Sequence, residues 1–227
     1  MTNLTKRLTL YIVGLFFLSL AVSFSIYASL GVSPGSSLSY AFALTTGLSV
    51  GTTTILLNIL YIVIQMVIKK RFDLRDAITQ MIIAFAFGFF IDTTLLFLRT
   101  FLPTPDAFLL KVVYLMISLV LIGGGLFVNV SAQFTLMPYD QMTKVISTTL
   151  NKPFSQVKVK ADMIIVTIAG LICLIFLRSF GSIGVGTVIS ALSIGTIMGW
   201  FHNRYHSSIE KWMTPIPTNK EIIYSKK

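Results

Sequence analysis

Residues 135–145 read TLMPYDQMTKV, which sets a proline, a carboxylate and a lysine between two apolar runs long enough to cross a bilayer. A connecting loop and a working part would both look like this, so the sequence around the stretch has to decide. Hydrophobic residues make up 55% of the 227-residue chain and charged residues 11%. A soluble domain carries roughly twice that charge.

Runs of spanning length cover 8–28, 77–98 (interrupted by Asp92), 112–130 and 185–201, with shorter candidates at 52–68 and 161–177. Six such segments leave almost no chain for a soluble domain. The first run follows Lys6 and Arg7 as a signal peptide would, but it is longer than the usual apolar core and five more spans follow, so a retained helix is expected. The lone Cys173 lies inside an apolar segment and offers no disulfide framework.

The net charge of +10 would suit nucleic acid, but its placement argues for a membrane and against that partner. With the N-terminus inside, fifteen Lys and Arg fall on the cytoplasmic side and only Arg99, Lys111 and Arg178 fall outside. Topology and contact with anionic lipid head groups account for the basicity. Both termini are expected in the cytoplasm of a bacterial cell, with the protein in its plasma membrane.

The opening stretch has an upstream counterpart, LGVSPGSSLSYAFALTTG at 30–47. Pro34 and Pro138 are 104 residues apart, and the same offset pairs Gly47 with Asn151, Asn58 with Asp162, Thr45 with Thr149 and Ala28 with Ala132. Each copy holds a span, a proline, a short segment, a residue tolerant of left-handed backbone, and a further span. Proline suits a first helical turn and Gly or Asn a stop, so the segment reads as a helix of 13 residues, about 20 Å, too short to cross. Ser33 is expected to cap the first copy, and Asp140 lies near the positive end of the second. Tyr139, Met142, Ile146 and Leu150 form an apolar stripe. Both an interfacial helix and one that dips in and returns fit this pattern.

A third pair of spans matches through AFGFFID (86–92) and SIGTIMG (193–199), which aligns Gly88 with Gly195. The run GSIGVGT before the last span reads as a flexible lead-in. Three spans per copy force the second copy upside down relative to the first. The expected fold is therefore an all-α membrane protein of six transmembrane helices and two short half-helices in two inverted-topology repeats. Residues 1–205 form one membrane domain (repeats at about 8–98 and 112–202), and 206–227 form a cytoplasmic tail.

A carboxylate near the bilayer centre costs on the order of 2.5–3.5 kcal/mol and normally faces protein or water. Asn58 and Asp92 fall at similar depth in the outer half, where Ser25 and Ser36 could join them. Asn129, Asp140 and Asp162 form the cytoplasmic counterpart, with His202 nearby. These residues are the candidate solute-binding set: Ser36, Asn58, Asp92, Asn129, Asp140 and Asp162. Lys158, one turn before Asp162, offers an ion pair, which is the plain structural alternative for that carboxylate. Gly195 and Gly199 make a GxxxG pattern and Gly123–Gly125 loosen the fourth span, both suited to close helix packing or a homodimer face. No HExxH pair, P-loop or GxSxG elbow occurs, so neither catalysis nor a cofactor is expected.

The elements LGVSP, MPYD and GVGTVISALSIG resemble those of the YczE/YyaS family of bacterial membrane proteins, related to the YitT-like group. Pro138 and Asp140 match a G-x-S-P-x-D element of that family. Gly184, Gly186, Thr187, Ala191, Leu192 and Gly195 match a G-x-G-T-x-x-x-A-L-x-x-G element, and the first repeat carries Ser36 where the acid would be. The resemblance covers the chain to about residue 205 and implies membrane location and fold, but no substrate. Inverted repeats are common in secondary transporters. A small-solute permease is expected first, then a non-transporting scaffold or accessory protein modulating a partner, then a lipid-handling protein.

Overall fold

The computed structural model describes residues 3–70 and 73–213. Their helices, in chain order, are α1 (Asn3–Ala28), α2 (Pro34–Thr46), α3 (Val50–Lys69), α4 (Leu74–Phe101), α5 (Phe108–Ser131), α6 (Pro138–Thr149), α7 (Phe154–Leu177) and α8 (Val185–Met213). Six of them are long and apolar enough to cross a membrane; α2 and α6 are not. Among the described residues there is no strand, so the chain is an all-α multi-pass membrane protein.

The helices outrun the apolar segments that announce them. α7 takes in Lys158 and Lys160, and α8 continues to Met213, so the first part of the expected tail is helical. Arg71 and residues 214–227 lie outside the described residues. Proline opens both short helices, and left-handed residues follow both: Gly47 at φ 73° and Asn151 at φ 51°. Ser29 and Gln133 mark the ends of α1 and α5 at φ 55° and 48°, and Lys70 and Arg178 those of α3 and α7 at φ 51° and 54°. The 104-residue spacing thus recurs in backbone conformation at Ser29/Gln133 and Gly47/Asn151, while Lys70 and Arg178 stand 108 apart; a side chain in that conformation costs about 1–2 kcal/mol and is met at helix ends.

Two sequence expectations for the short helices change. Ser33 stands at the N-cap of α2, but its hydroxyl pairs with Ser36 Oγ at 2.9 Å and caps no backbone N–H. On α6, Leu150 is 56% exposed, whereas Thr143 and Ser147 turn inward. Their hydroxyls donate to backbone carbonyls, Thr143 to Tyr139 O at 2.9 Å and Ser147 to Lys152 O at 2.6 Å, so the inward face of α6 is partly polar.

α1 and α5 run antiparallel in close contact: Gly14 lies against Asn129, Gly125 against Leu18, and Ser118 Oγ donates to Ala21 O at 2.8 Å. A Cβ on Gly14 would stand 2.9 Å from Asn129 N, so this crossing needs glycine. α4 packs parallel to α1 through Ser23 and Thr94, whose hydroxyls are 2.8 Å apart, and α8 packs parallel to α5 through Gly123 on Ile197 and Phe127 stacked on Phe201.

Both short helices pack against α3 and α7. A Cβ on Gly35, in the first turn of α2, would lie 3.9 Å from the Tyr139 ring in the first turn of α6. The two helices therefore approach each other by their N-termini within the bundle. Of the two arrangements open in the sequence, this packing favours helices that dip in and return.

The halves differ in one respect. α3 packs on α4 where Gly51 meets Gly88, but α7 and α8 do not pack along each other, and nothing lies within 4 Å of a Cβ built on Gly195 or Gly199. Among the described residues the GxxxG face makes no close contact.

LGVSP and GVGT, far apart in sequence, meet at the end of the bundle where α1 finishes. Val32 N donates to Ser182 O at 3.1 Å and Gly186 N to Leu30 O at 2.7 Å. Gly31, at φ 96°, and Gly184 share the space between the two loops, and Thr187 Oγ1 accepts from Gly184 N at 3.2 Å. The glycines allow two backbones to touch; the run is a packed seam and not a flexible lead-in.

Candidate functional site

The meeting of α6 with α7 gathers most of the chemistry. Proline sets the first turn of α6, which places Tyr139 and Asp140 side by side at its start. α7 then presents Lys158 and Asp162 one helical turn apart, hence on one face. Lys158 Nζ lies 2.9 Å from Asp140 Oδ1 and 3.2 Å from Asp162 Oδ1, and 3.8 Å from the centroid of the Tyr139 ring. The three charged side chains are about a quarter exposed. The Tyr139 hydroxyl donates to Asp162 Oδ1 at 2.5 Å, and the Tyr61 ring lies 5.3 Å from the Tyr139 ring. Burial pushes the Tyr139 hydroxyl well above its usual range, and the Asp162 carboxylate adds to the effect. Tyr139 therefore stays a neutral donor, and the site holds two carboxylates against one ammonium.

Two buried groups near the same end have no partner. Tyr11 Oη and Asn129 Nδ2 face each other across the α1–α5 crossing without meeting hydrogen-bond geometry. Tyr11 is 1% exposed and packs on Phe134 at 5.4 Å, just before α6 begins. Unpaired buried polar groups cost about 1–3 kcal/mol each, so an orphan pair beside a charged cluster stands out.

Behind the cluster, Gln65 of α3 and Gln80 of α4 exchange amide hydrogen bonds at 3.0 and 3.2 Å, and Gln65 Nε2 also donates to Pro138 O at 3.1 Å. Both side chains are almost fully buried. This clasp ties α3 and α4 to the start of α6.

The structure thus joins Asp140 and Asp162 through Lys158 and sets Asn129 beside Tyr11. It does not join the outer set. Asp92 accepts from Ser49 Oγ and Gly51 N, both at 2.7 Å, and so caps the start of α3. Ser36 bonds back to Ser33, Ser25 to Gly31 O, and Asn58 is buried on α3. His202 stacks on His206 at 4.3 Å. Asp92→Asn should cost about 1 kcal/mol of unfolding free energy, because one acceptor and the charge are lost from a helix start. Thermal unfolding checks this, and a loss well above that figure would give Asp92 more than a capping role.

Sequence reading missed Lys158 as partner of Asp140, the ring of Tyr139, and the glutamines. The glutamines carried a signal: VIQMVI and ITQMII place an amide within apolar helix, as with Asn58.

A separate groove of about 520 Å³ lies between α1, α5 and α8, walled by apolar side chains such as Phe17, Val128, Phe201 and Trp212. None of the six candidate residues lines it.

Fold and cluster together define a small polytopic helical membrane protein with charged groups set where two short internal helices converge. The chain belongs to the family of unknown function DUF6198, which matches residues 5–203. It is 27% identical over 191 residues to the uncharacterized protein YyaS of Bacillus subtilis, covering 84% of this chain and 90% of that protein. To the uncharacterized membrane protein YczE of the same organism it is 27% identical over 197 residues, covering 86% and 85%. An uncharacterized protein of Haemophilus influenzae is 22% identical over 198 residues, covering 87% and 84%. These likenesses bear out the resemblance read from the motifs. No solved structure matches.

Proposed function

We propose that this protein is a small-solute transporter of the bacterial plasma membrane, working by alternating access through an inverted repeat with both termini in the cytoplasm. The observation that carries this reading is the approach of α2 and α6 by their N-termini beside Asp140, Lys158 and Asp162. Broken helices whose ends converge on polar groups at mid-bundle are how many secondary transporters build a solute site. The antiparallel run of α1 and α5 supports inversion, since these are the first helices of the two copies. The different packing of α3 on α4 and of α7 beside α8 supports two arrangements of one repeat.

Cysteine labelling tests the topology. Positions in 100–106 and 178–183 should react from outside, and positions in 69–75 and 204–212 from the cytoplasm. A cytoplasmic 100–106 would sink the inverted repeat. A solute-uptake screen in proteoliposomes tests transport itself. In it Asp140→Asn should keep membrane yield, because Asn retains an acceptor at the helix start, and should lower uptake about tenfold or more by losing the charge. Unchanged uptake would remove Asp140 from the solute path.

A second reading, a scaffold or lipid-contacting accessory protein, draws on the apolar groove between α1, α5 and α8. A null uptake screen combined with co-purified lipid or partner would favour it.

A further inference from the structure

The surroundings of the Lys158 ammonium are those of a recognition site for a primary ammonium ion, and the lysine itself fills it. Two carboxylate oxygens lie 2.9 and 3.2 Å from Nζ, and an aromatic face lies 3.8 Å from it. Three N–H donors on one positive centre suit two carboxylates, while the ring face attracts the same charge. The neighbouring Tyr61 ring extends an apolar wall beside Tyr139 on which an aliphatic stem can lie.

Charge fixes how many cations fit. Asp140 and Asp162 contribute two negative charges, and the two converging helix N-termini contribute roughly half a positive charge each. One monovalent cation brings the site close to neutrality, and Lys158 now supplies it. A second cation would be in excess, so a solute ammonium enters by exchange with the lysine. Lysine suits that role because its charge rides on a flexible four-carbon stem, and Lys158 sits in the second turn of α7 with 27% of its side chain exposed.

The orphan pair supplies an independent pointer to a ligand. Tyr11 Oη and Asn129 Nδ2 are buried and unpartnered, and Tyr11 packs on Phe134 just before α6 begins. Lys158 has no further polar group to offer them. A solute with a polar function beyond its ammonium would satisfy both.

We propose that Asp140, Asp162 and the Tyr139 ring bind a small aliphatic primary ammonium solute, and that Lys158 is a tethered occupant which the solute displaces. The inference names the solute class for the transport reading and rests on that reading only for passage across the membrane.

The test is calorimetric titration of the purified full chain in lipid nanodiscs with n-butylammonium and 4-hydroxybutylammonium, against tetramethylammonium and n-butanol. Wild type should bind the two primary ammonium probes saturably and neither control. Removing the competitor in Lys158→Ala should tighten n-butylammonium binding about tenfold, and Asp140→Asn or Asp162→Asn should weaken it about tenfold, the usual scale for one charged partner. The hydroxyl-bearing probe should lose more affinity than n-butylammonium in Asn129→Leu, because its oxygen can accept from Asn129 Nδ2. Lys158→Gln provides the second variant if the alanine form does not fold. Saturable binding by the Lys158 variants and none by wild type would overturn the proposal, since the lysine would then be a fixed counter-ion. Wild-type binding unmoved by Asp140→Asn and Asp162→Asn would overturn it as well. Binding without proteoliposome uptake would instead defeat the transport reading and leave the site assigned; uptake of other solutes without ammonium binding would defeat the site alone.

Discussion

Gly184→Ala is expected to lower unfolding free energy by on the order of 3 kcal/mol, combining overpacking with two strained backbone hydrogen bonds. The added Cβ would stand 2.3 Å from Leu30 O and 2.8 Å from Leu30 C, both backbone atoms that no rotamer change can move. The loops must part, which stretches Gly186 N to Leu30 O and Val32 N to Ser182 O together. Gly31→Ala should cost at least as much, because its φ of 96° adds strain to a Cβ only 2.3 Å from Gly184 N. Gly195→Ala is the control: nothing lies within 4 Å of its Cβ, and the change should stay within about 0.5 kcal/mol. Unfolding in graded denaturing detergent measures all three. A Gly184→Ala protein as stable as wild type would mean that the loops are not in contact.

The second large effect concerns the glutamine clasp. Gln80→Met keeps the length and apolar bulk of the side chain but leaves Gln65 Oε1 without its donor, a loss of about 1–3 kcal/mol for a buried group. Gln65→Met should cost more, since it also strips Pro138 O of the donor at 3.1 Å. The double variant should lose less than the two single losses added, because neither amide is then stranded by the other. Interhelical hydrogen bonds in membranes couple by about 0.6 kcal/mol on average and up to about 1.7. A strictly additive cycle would show that the reciprocal pair at 3.0 and 3.2 Å does not form.

Much of the fold was legible in the sequence because lipid imposes simple rules. Length and absence of charge mark the six spans, and the Pro34/Pro138 and Gly47/Asn151 spacing marks the short helices. The helix ends were less legible, since Lys158, Lys160 and the end of α8 interrupt the apolar runs with charge while the backbone stays helical. The candidate site was half legible. Asp140 and Asp162 stood out as carboxylates in apolar surroundings, and Lys158 as the partner of Asp162 by helical spacing. The bond from Lys158 to Asp140 crosses between two elements and depends on how α6 leans on α7, which no local pattern encodes. Asp92 misled for the same reason: its partners Ser49 and Gly51 are distant in sequence, and nothing at position 92 announces a cap for another helix. Glycine gave the weakest guidance, because a glycine that permits motion and one that permits contact are spelled alike.

The seam between Leu30–Val32 and Ser182–Gly186 also sets a calendar for synthesis. Val32 and Ser182 are separated by 150 positions, so their bond waits until five spans have entered the membrane and the start of the sixth has emerged. Until then the carbonyl of Leu30 and the amide of Val32 must be held by water. The chain therefore closes at this end only after seven helices have been made, and a product stopped short of residue 182 lacks the fastening whatever the state of those helices. Long-range contacts of this kind are slow to form and come late in assembly. For this protein, quality control that inspects whether one pair of loops has met would in effect be counting whether the ribosome has finished the last turn into α8.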